Sequence, residues 1–257
     1  MIKGIDHVVI LVKDLAEATA DYTELGFTVL PGGEHVDGAS HNALIAFADG
    51  SYIELLAFKK QAPGHRWWPK ATNEARGGEG LIDFALLPTE IENDISAARE
   101  RGLAYQGPFP GGRLRPDGQE IKWQSGQPGT PDLPFLCGDI TPRSLRVPSG
   151  PAWLHANGVT GIEAVSVLVD NLAESAGRYQ ALLGISPDSA GHAEPSATAS
   201  KVFSLGPGKI ILTELDTSAQ DAKTGKGAGP SALRFKVIQP VSFEQSRTHS
   251  VDLSASS

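Results

Sequence analysis

The chain has 257 residues and a formal net charge of −8, long enough for one large domain or two small ones with a real core. The acidic balance, with no basic stripe interleaved with aromatics, argues against a nucleic-acid partner. No apolar run approaches the ~18 residues of a membrane span, and the lone Cys137 excludes an internal disulfide framework and a multi-cysteine zinc site.

The opening Met1-Ile2-Lys3-Gly4-Ile5-Asp6 enters a strand-like run without the pattern of a secretory signal, so a cytoplasmic protein is expected. Ile5 to Val12 is a β-branched run, and Asp14 is a helix-start signal. In the helix DLAEATADYTELG, Leu15, Ala18, Tyr22 and Leu25 recur at spacings of three and four, and Gly26 stops it. Three strands are then expected, at Phe27–Leu30, Asn42–Phe47 and Tyr52–Leu56, with turns at Pro31-Gly32-Gly33 and Asp49-Gly50. The order is β-α-β-β-β.

That order recurs. A strand is expected at Gly80–Leu87, a helix from Glu90 to Arg101, and strands at Leu103–Tyr105, Glu120–Trp123 and Leu133–Cys137. A third start, GIEAVSVLVDNLAESAGRYQALLG from Gly161, nearly copies GIDHVVILVKDLAEATADYTELG from Gly4. Ten of the first twenty-two aligned positions are identical, too many for two unrelated amphipathic segments. Lys201–Leu205 and Lys209–Leu215 supply later strands of this third unit. Ser231–Ile238 opens a fourth that the polar tail SFEQSRTHSVDLSASS cannot complete. The expected fold is α+β, with repeated βαβββ modules at 1–60 and 79–142 paired in one domain spanning 1–142. A Pro/Gly/Ser-rich linker follows at 143–158, then a third module with an incomplete fourth at 159–257. The stretch from Asp216 to Pro230 is expected to be a mobile loop.

The segments GIDHVVILVKDL, GGEHVDGASHNALIAFADGSYIELLAF, GGRLRPDGQEIKW and LPFLC together resemble the glyoxalase-like domain of the vicinal-oxygen-chelate superfamily, over roughly residues 4–140. The resemblance implies paired modules whose mixed sheets curl around a cavity, with metal ligands on the first and last strands of each module. Carried onto this chain, it points to His7 and Glu54 in module 1, with Asp83 and Cys137 at the matching places in module 2. Metal-binding members usually carry His or Glu at those two places. His7, Glu54 and Asp83 suit a divalent metal, Zn, Fe, Mn or Ni, and Glu54 is the candidate catalytic group. In module 3, Ala164 stands for His7 and Leu212 or a neighbour for Glu54, so no metal is expected there.

The residues also admit plainer readings. His7 and Glu54 can share a buried hydrogen bond without metal. Asp6 is expected on the opposite face of its strand, and Trp123 is expected in the core. His35 and Asn42 are substrate-contact candidates beside a glycine-rich loop, with His41 a weaker one. Trp67 and Trp68, in PGHRWWPK with His65, can form a lid or anchor their loop. Tyr52, Phe47 and Cys137 are further candidate lining groups. Arg113 and Arg115 are candidates for a carboxylate or phosphate, or solvated charge. No phosphate loop, dinucleotide fingerprint or Gly-x-Ser-x-Gly elbow is present, so no nucleotide cofactor is expected. The implied function is an enzyme of lyase, isomerase or dioxygenase type acting on a small molecule with neighbouring oxygens. The alternative is a metal-free, drug-sequestering binding protein of the bleomycin-resistance kind. A homodimer is implied by the resemblance alone.

Overall fold

A computed structural model describes residues 1–73, 77–188, 199–215 and 227–256. The first repeat is β1 (Ile2–Leu11), α1 (Leu15–Glu24), β2 (Leu30–His35), β3 (Ser40–Ala46) and β4 (Tyr52–Phe58). A short helix, α2 (Trp68–Ala71), lies between it and the second repeat. That repeat is β5 (Gly80–Pro88), α3 (Ile91–Glu100), β6 (Gln106–Leu114), β7 (Glu120–Gln127) and β8 (Phe135–Asp139). The chain continues through α4 (Arg143–Arg146) and a 3-10 turn at Gly150–Trp153. It then forms β9 (Val159–Val169), α5 (Leu172–Leu183), β10 (Ser200–Leu205), β11 (Gly208–Glu214), β12 (Gly229–Val237) and β13 (Asp252–Ser256).

The first eight strands close into a barrel in the order β1-β4-β3-β2-β6-β7-β8-β5. β1 runs parallel to β4 and antiparallel to β5, and the opposite seam closes where Glu34 and His35 pair with Leu114 and Arg113. A second, five-stranded sheet has the order β10-β11-β9-β12-β13.

β1 is apolar on both faces because both are buried. Val8 and Ile10 point out of the barrel into a core shared with Val165, Val167, Phe203 and Phe235 of the second sheet. Val9 and Leu11 point inward, against Leu56, Trp67 and Phe135. Each such side chain contributes about 1.5–3 kcal/mol of burial, and the shared core holds the barrel wall rigid behind whatever lines its inside.

Helix α1 starts where Asp14 accepts hydrogen bonds from the N–H groups of Ala16 and Glu17, at 2.8 and 3.1 Å. Its repeat, α5, is capped in the same way by Asn171, which accepts from Glu174 N–H at 2.9 Å. No described helix is long and apolar enough to cross a membrane.

Several expectations are corrected. The strand expected at Phe27–Leu30 is instead β2, and it runs through the Pro31-Gly32-Gly33 segment read as a turn. β6 likewise covers Gln106–Leu114 rather than Leu103–Tyr105. Both strands are rich in Gly and Pro because side chains from neighbouring strands lie over them. A Cβ on Gly32 would sit 2.0 Å from Asn42 Oδ1, and one on Gly111 would sit 2.3 Å from Trp123 Nε1. The polar tail does form a strand: β13 pairs parallel with β12 as β8 does with β5. Of the expected loop at 216–230, residues 216–226 lie outside the described residues, and Gly229 and Pro230 open β12.

The stretch at 143–158 also does more than connect. Arg146 and Val147 are buried, and Val147 packs with Leu44, Ala46 and Tyr52, with Trp153 against them. The segment closes one end of the barrel.

Candidate functional site

The barrel encloses a cavity of about 220 Å³, walled by residues from β1 to β4, β6 to β8, α4 and the loop before α2. Its chemistry begins with a backbone irregularity. Along the β1–β5 ladder, Ile5 pairs with Leu86 but His7 with Ala85, so Asp6 is an extra, bulged residue. Simple alternation would send Asp6 and His7 to opposite faces. The bulge re-aims the chain and brings both to one cluster. Asp6 is therefore not turned away from His7, as expected from sequence: its Oδ2 accepts from His7 Nδ1 at 2.6 Å.

Asp6 is fully buried, which would raise its carboxyl. The Arg146 guanidinium, the His7 hydrogen bond and Arg143 outweigh burial and hold it well below the usual carboxylate range. Arg146 donates to Asp6 at 2.8 and 3.1 Å, to Asp139, and to the Tyr52 hydroxyl at 2.7 Å. Arg143 donates to Asp6 as well. When the His7 ring is neutral, the Asp6 carboxylate keeps its proton on Nδ1 and leaves Nε2 as a lone-pair donor. The ring stacks on Tyr52 with centroids 4.5 Å apart.

His7 Nε2 lies 3.6 Å from Glu54 Oε2, and His35 Nε2 lies 3.4 Å from Glu54 Oε1. His35 Nδ1 is anchored at 2.8 Å by the Ser40 hydroxyl, and Asn42 Nδ2 donates to Glu54 Oε1 at 2.6 Å. Burial alone would raise the Glu54 carboxyl. Its hydrogen bond to and attraction from His35, the charge of His7 and the Asn42 amide bring it down to about 2. Glu54 is thus an ionised oxygen donor at neutral pH and a weak base.

The structure sorts the remaining sequence candidates. Trp67 lines the cavity, but its indole N–H is committed to Asp83 Oδ2 at 2.8 Å. Arg66 also donates to that oxygen, at 2.5 Å, with its guanidinium 4.9 Å from the Phe135 ring centroid. Asp83 is thereby turned to the loop before α2 rather than to His7 and Glu54. Trp68 lies outside the cavity, edge-on to Phe58 at 5.1 Å. Arg115 lies outside too; it pairs with Asp117 at 2.9 Å and borders a separate depression beside Leu145. Phe47 belongs to the outer core, and His41 lines no part of the cavity. Trp123, expected in the core, is a wall residue, as are His65, Arg113 and Cys137. Burial pushes the Cys137 thiol up to about 12, so it is neutral and no nucleophile.

Sequence reasoning missed Arg66, Arg143 and Arg146, and misplaced Asp6. No local signal distinguishes Arg146 within the Pro/Gly/Ser-rich stretch that carries it.

The donor set can be tested for a metal. Two ligands about 2.1 Å from one tetrahedral cation lie about 3.4 Å apart. The 3.4 and 3.6 Å separations, one to each Glu54 oxygen, match that spacing pair by pair. Both imidazoles have Nδ1 anchored and Nε2 facing the carboxylate, the usual outer-shell arrangement of ligating histidines. Among the described residues, Asp6, His7 and Cys137 form a tighter group, with donor atoms within 4.8 Å of one another. There, however, Asp6 is already neutralised by two guanidinium groups and the thiol is protonated, so the Glu54 side of His7 fits a cation better.

Solved structures with the same architecture include a hypothetical protein from Staphylococcus aureus, at 16% identity and TM-score 0.69, covering 93% of this chain and 92% of that one. A mutant of 4-hydroxymandelate synthase from Streptomyces coelicolor matches at 20% identity and TM-score 0.63, covering 93% and 72%. A fusion of a xylose isomerase-like TIM barrel with 4-hydroxyphenylpyruvate dioxygenase matches at 13% identity and TM-score 0.59, with 93% of this chain spanning 37% of that one. These likenesses show the fold. No curated protein sequence matches the chain. Residues 5–183 match the family model described as Glyoxalase-like domain, which takes in the barrel from the middle of β1 onward and the start of the second sheet, and the chain belongs to that family.

Proposed function

We propose that the chain is a metal-dependent enzyme that acts on a small organic molecule bearing neighbouring oxygens, with lyase, isomerase or dioxygenase chemistry. The observation that carries this reading is the convergence of His7 Nε2 and His35 Nε2 on the two Glu54 oxygens. His7, His35 and Glu54 would hold a divalent cation, Zn, Fe, Mn or Ni by their donor chemistry. When bound, it would supply Lewis-acid stabilisation of negative charge on a substrate oxygen. His35 replaces Asp83 as third donor in this proposal, because Asp83 is held by Arg66 and Trp67.

The chain's own residues prepare the site. Asp6 and Arg146 fix the His7 tautomer, Asn42 orients Glu54, and Trp67, Phe135 and Trp123 supply apolar walls that exclude water. Glu54, held ionised, serves as a donor to the cation rather than as a proton shuttle.

Zinc and manganese titration of chelator-stripped protein by calorimetry tests the reading. One equivalent of metal is expected, lost by at least 100-fold in affinity in His7→Ala and Glu54→Ala and retained in Asp83→Asn. Absence of stoichiometric binding in the wild type would sink it, and binding of apolar ligands by that metal-free protein would establish the sequestering alternative.

A further inference from the structure

Two arginines are buried among the described residues, Arg146 at 2% exposure and Arg113 at 3%. Their surroundings differ in kind. Arg146 is clasped by the Asp6 and Asp139 carboxylates. Arg66, which also lines the cavity, is paired with Asp83, and Arg143, beside Arg146, is paired with Asp6 and Asp139. Arg113 donates to backbone carbonyls only, to Gly32 O and, at 2.7 Å, to Arg146 O. No carboxylate lies within ion-pair distance of it among the described residues.

A guanidinium does not shed its proton, and two carbonyls leave several of its N–H donors over. A buried cation without a counter-charge is costly. The Glu54 charge acts on Arg113 through space, without an ion pair between them. That charge would itself be taken up by a divalent cation.

Placement makes the surplus usable. Arg113 pairs directly with His35 across the β2–β6 seam, so both side chains issue from the same face of the barrel wall. His35 reaches Glu54 from that face, and Arg113 lines the same cavity. On its own strand, Gly111 and Gly112 leave the wall beside it without side chains, and the Trp123 indole lies over Gly111.

We propose that Arg113 is an anion seat: the cavity takes a small organic anion whose carboxylate, or comparable oxyanion, is held by the spare Arg113 N–H groups. Where that ligand sits relative to a bound cation rests on the metal reading above; the seat itself does not. A planar guanidinium fork matches a carboxylate with two parallel hydrogen bonds, so the seat selects geometry as well as charge.

The test uses benzoate against benzamide and acetate against acetamide, pairs of similar shape that differ in charge. Affinities are measured by calorimetry and tryptophan fluorescence on the full chain, both chelator-stripped and zinc-loaded. At neutral pH, benzoate is expected to bind the stripped protein at least 10-fold more tightly than benzamide. Arg113→Met should abolish that preference, and Arg115→Met, which removes a cation outside the cavity and already paired with Asp117, should leave it. Arg113→Lys keeps the charge but not the fork and should lower the preference several-fold; this variant decides the matter if Arg113→Met does not fold. No preference in the wild type, or a preference unchanged in the Arg113 variants, overturns the proposal. Zinc bound through His7 and Glu54 with indifference to charge would remove the seat and leave the metal reading standing. Charge preference without any zinc binding would do the reverse.

Discussion

The barrel strands β4-β1-β5 and the second-sheet strands β11-β9-β12 are the same backbone used twice. His7 stands beside Tyr52 as Ala164 stands beside Lys209, and Val9 beside Glu54 as Ser166 beside Ile211. On the other side, Val9 faces Asp83 as Ser166 faces Ala232. Even the irregularity repeats: Ile162 pairs with Phe235 and Ala164 with Arg234, which makes Glu163 a bulged residue as Asp6 is. Both bulges carry an acid. In the barrel that acid is sealed from water and bound by two guanidinium groups; in the second sheet it meets Lys209 at 3.6 Å and the Ser256 hydroxyl. The ladder supplies positions, and the residues placed there decide whether a position does chemistry.

The largest expected consequence lies at Arg146. Removing one member of a buried ion cluster leaves the other as an uncompensated charge, at a cost of about 3–5 kcal/mol. Arg146→Ala should therefore lower unfolding stability by that amount in urea titrations, because Asp6 has no exposure through which water could replace the lost partner. A loss under 1 kcal/mol would mean that Arg143 alone neutralises Asp6 and that α4 only fills space.

Acid should reveal the same contrast on a smaller scale. The Glu54 carboxyl is held at about 2 against an ordinary 4.5, and Asp6 well below 3.8. A carboxyl depressed on folding contributes stability that is complete above its unfolded value and is lost as pH falls toward its folded value. For Glu54 that window runs from about 4.5 down to about 2, and the shift corresponds to no more than roughly 3 kcal/mol. Glu54→Gln should flatten this part of the stability–pH curve without affecting the limb due to Asp6. A variant that loses stability as steeply as wild type over that range would show Glu54 to be unpaired in solution.

These pairs also show where sequence reading stops. The pairing of His7 with Glu54 is implied by the resemblance to the glyoxalase-like domain, and the repeat and the helix start at Asp14 follow from periodicity and internal similarity. The bulge at Asp6 does not, because it is a register step between strands more than seventy residues apart and leaves no local mark. β2 and β6 were hidden because glycines that make room for Asn42 and Trp123 look, in sequence, like the glycines of turns. Arg146 was hidden by its neighbours: a Pro/Gly/Ser-rich run reads as a connector, and only the closed barrel shows that it ends in a plug. The β13 strand was missed for a related reason, since an edge strand paired on one side needs little apolar sequence.

Lys209→Ala, the counterpart of Arg146→Ala, should change stability by less than about 1 kcal/mol. Its ion pair with Glu163 is half-exposed on the lysine side, where solvent screens the charges. Equal costs at the two bulges would contradict the view that burial, not the bulge, gives the acid its energetic weight.

The sharpest version of the comparison moves the donors themselves. In a His7→Ala, Glu54→Ala background, Ala164→His with Ile211→Glu would restore an imidazole and a carboxylate at the same ladder positions in the second sheet. Calorimetry should detect no recovery of zinc binding. The transplanted imidazole would find Glu163 already engaged by Lys209 and Ser256, so its Nδ1 would lack the anchor that Asp6 gives His7. The transplanted carboxylate would face Ser200 where Glu54 has the Asn42 amide, since Ser200 pairs with Thr213 as Asn42 pairs with Leu56. Two ligands without outer-shell partners bind a cation weakly, because each side chain must be ordered at the moment of binding. Recovery to within 10-fold of the wild-type affinity would show that ladder register alone makes the site, and that the buried cluster around Asp6 serves only to hold the barrel shut.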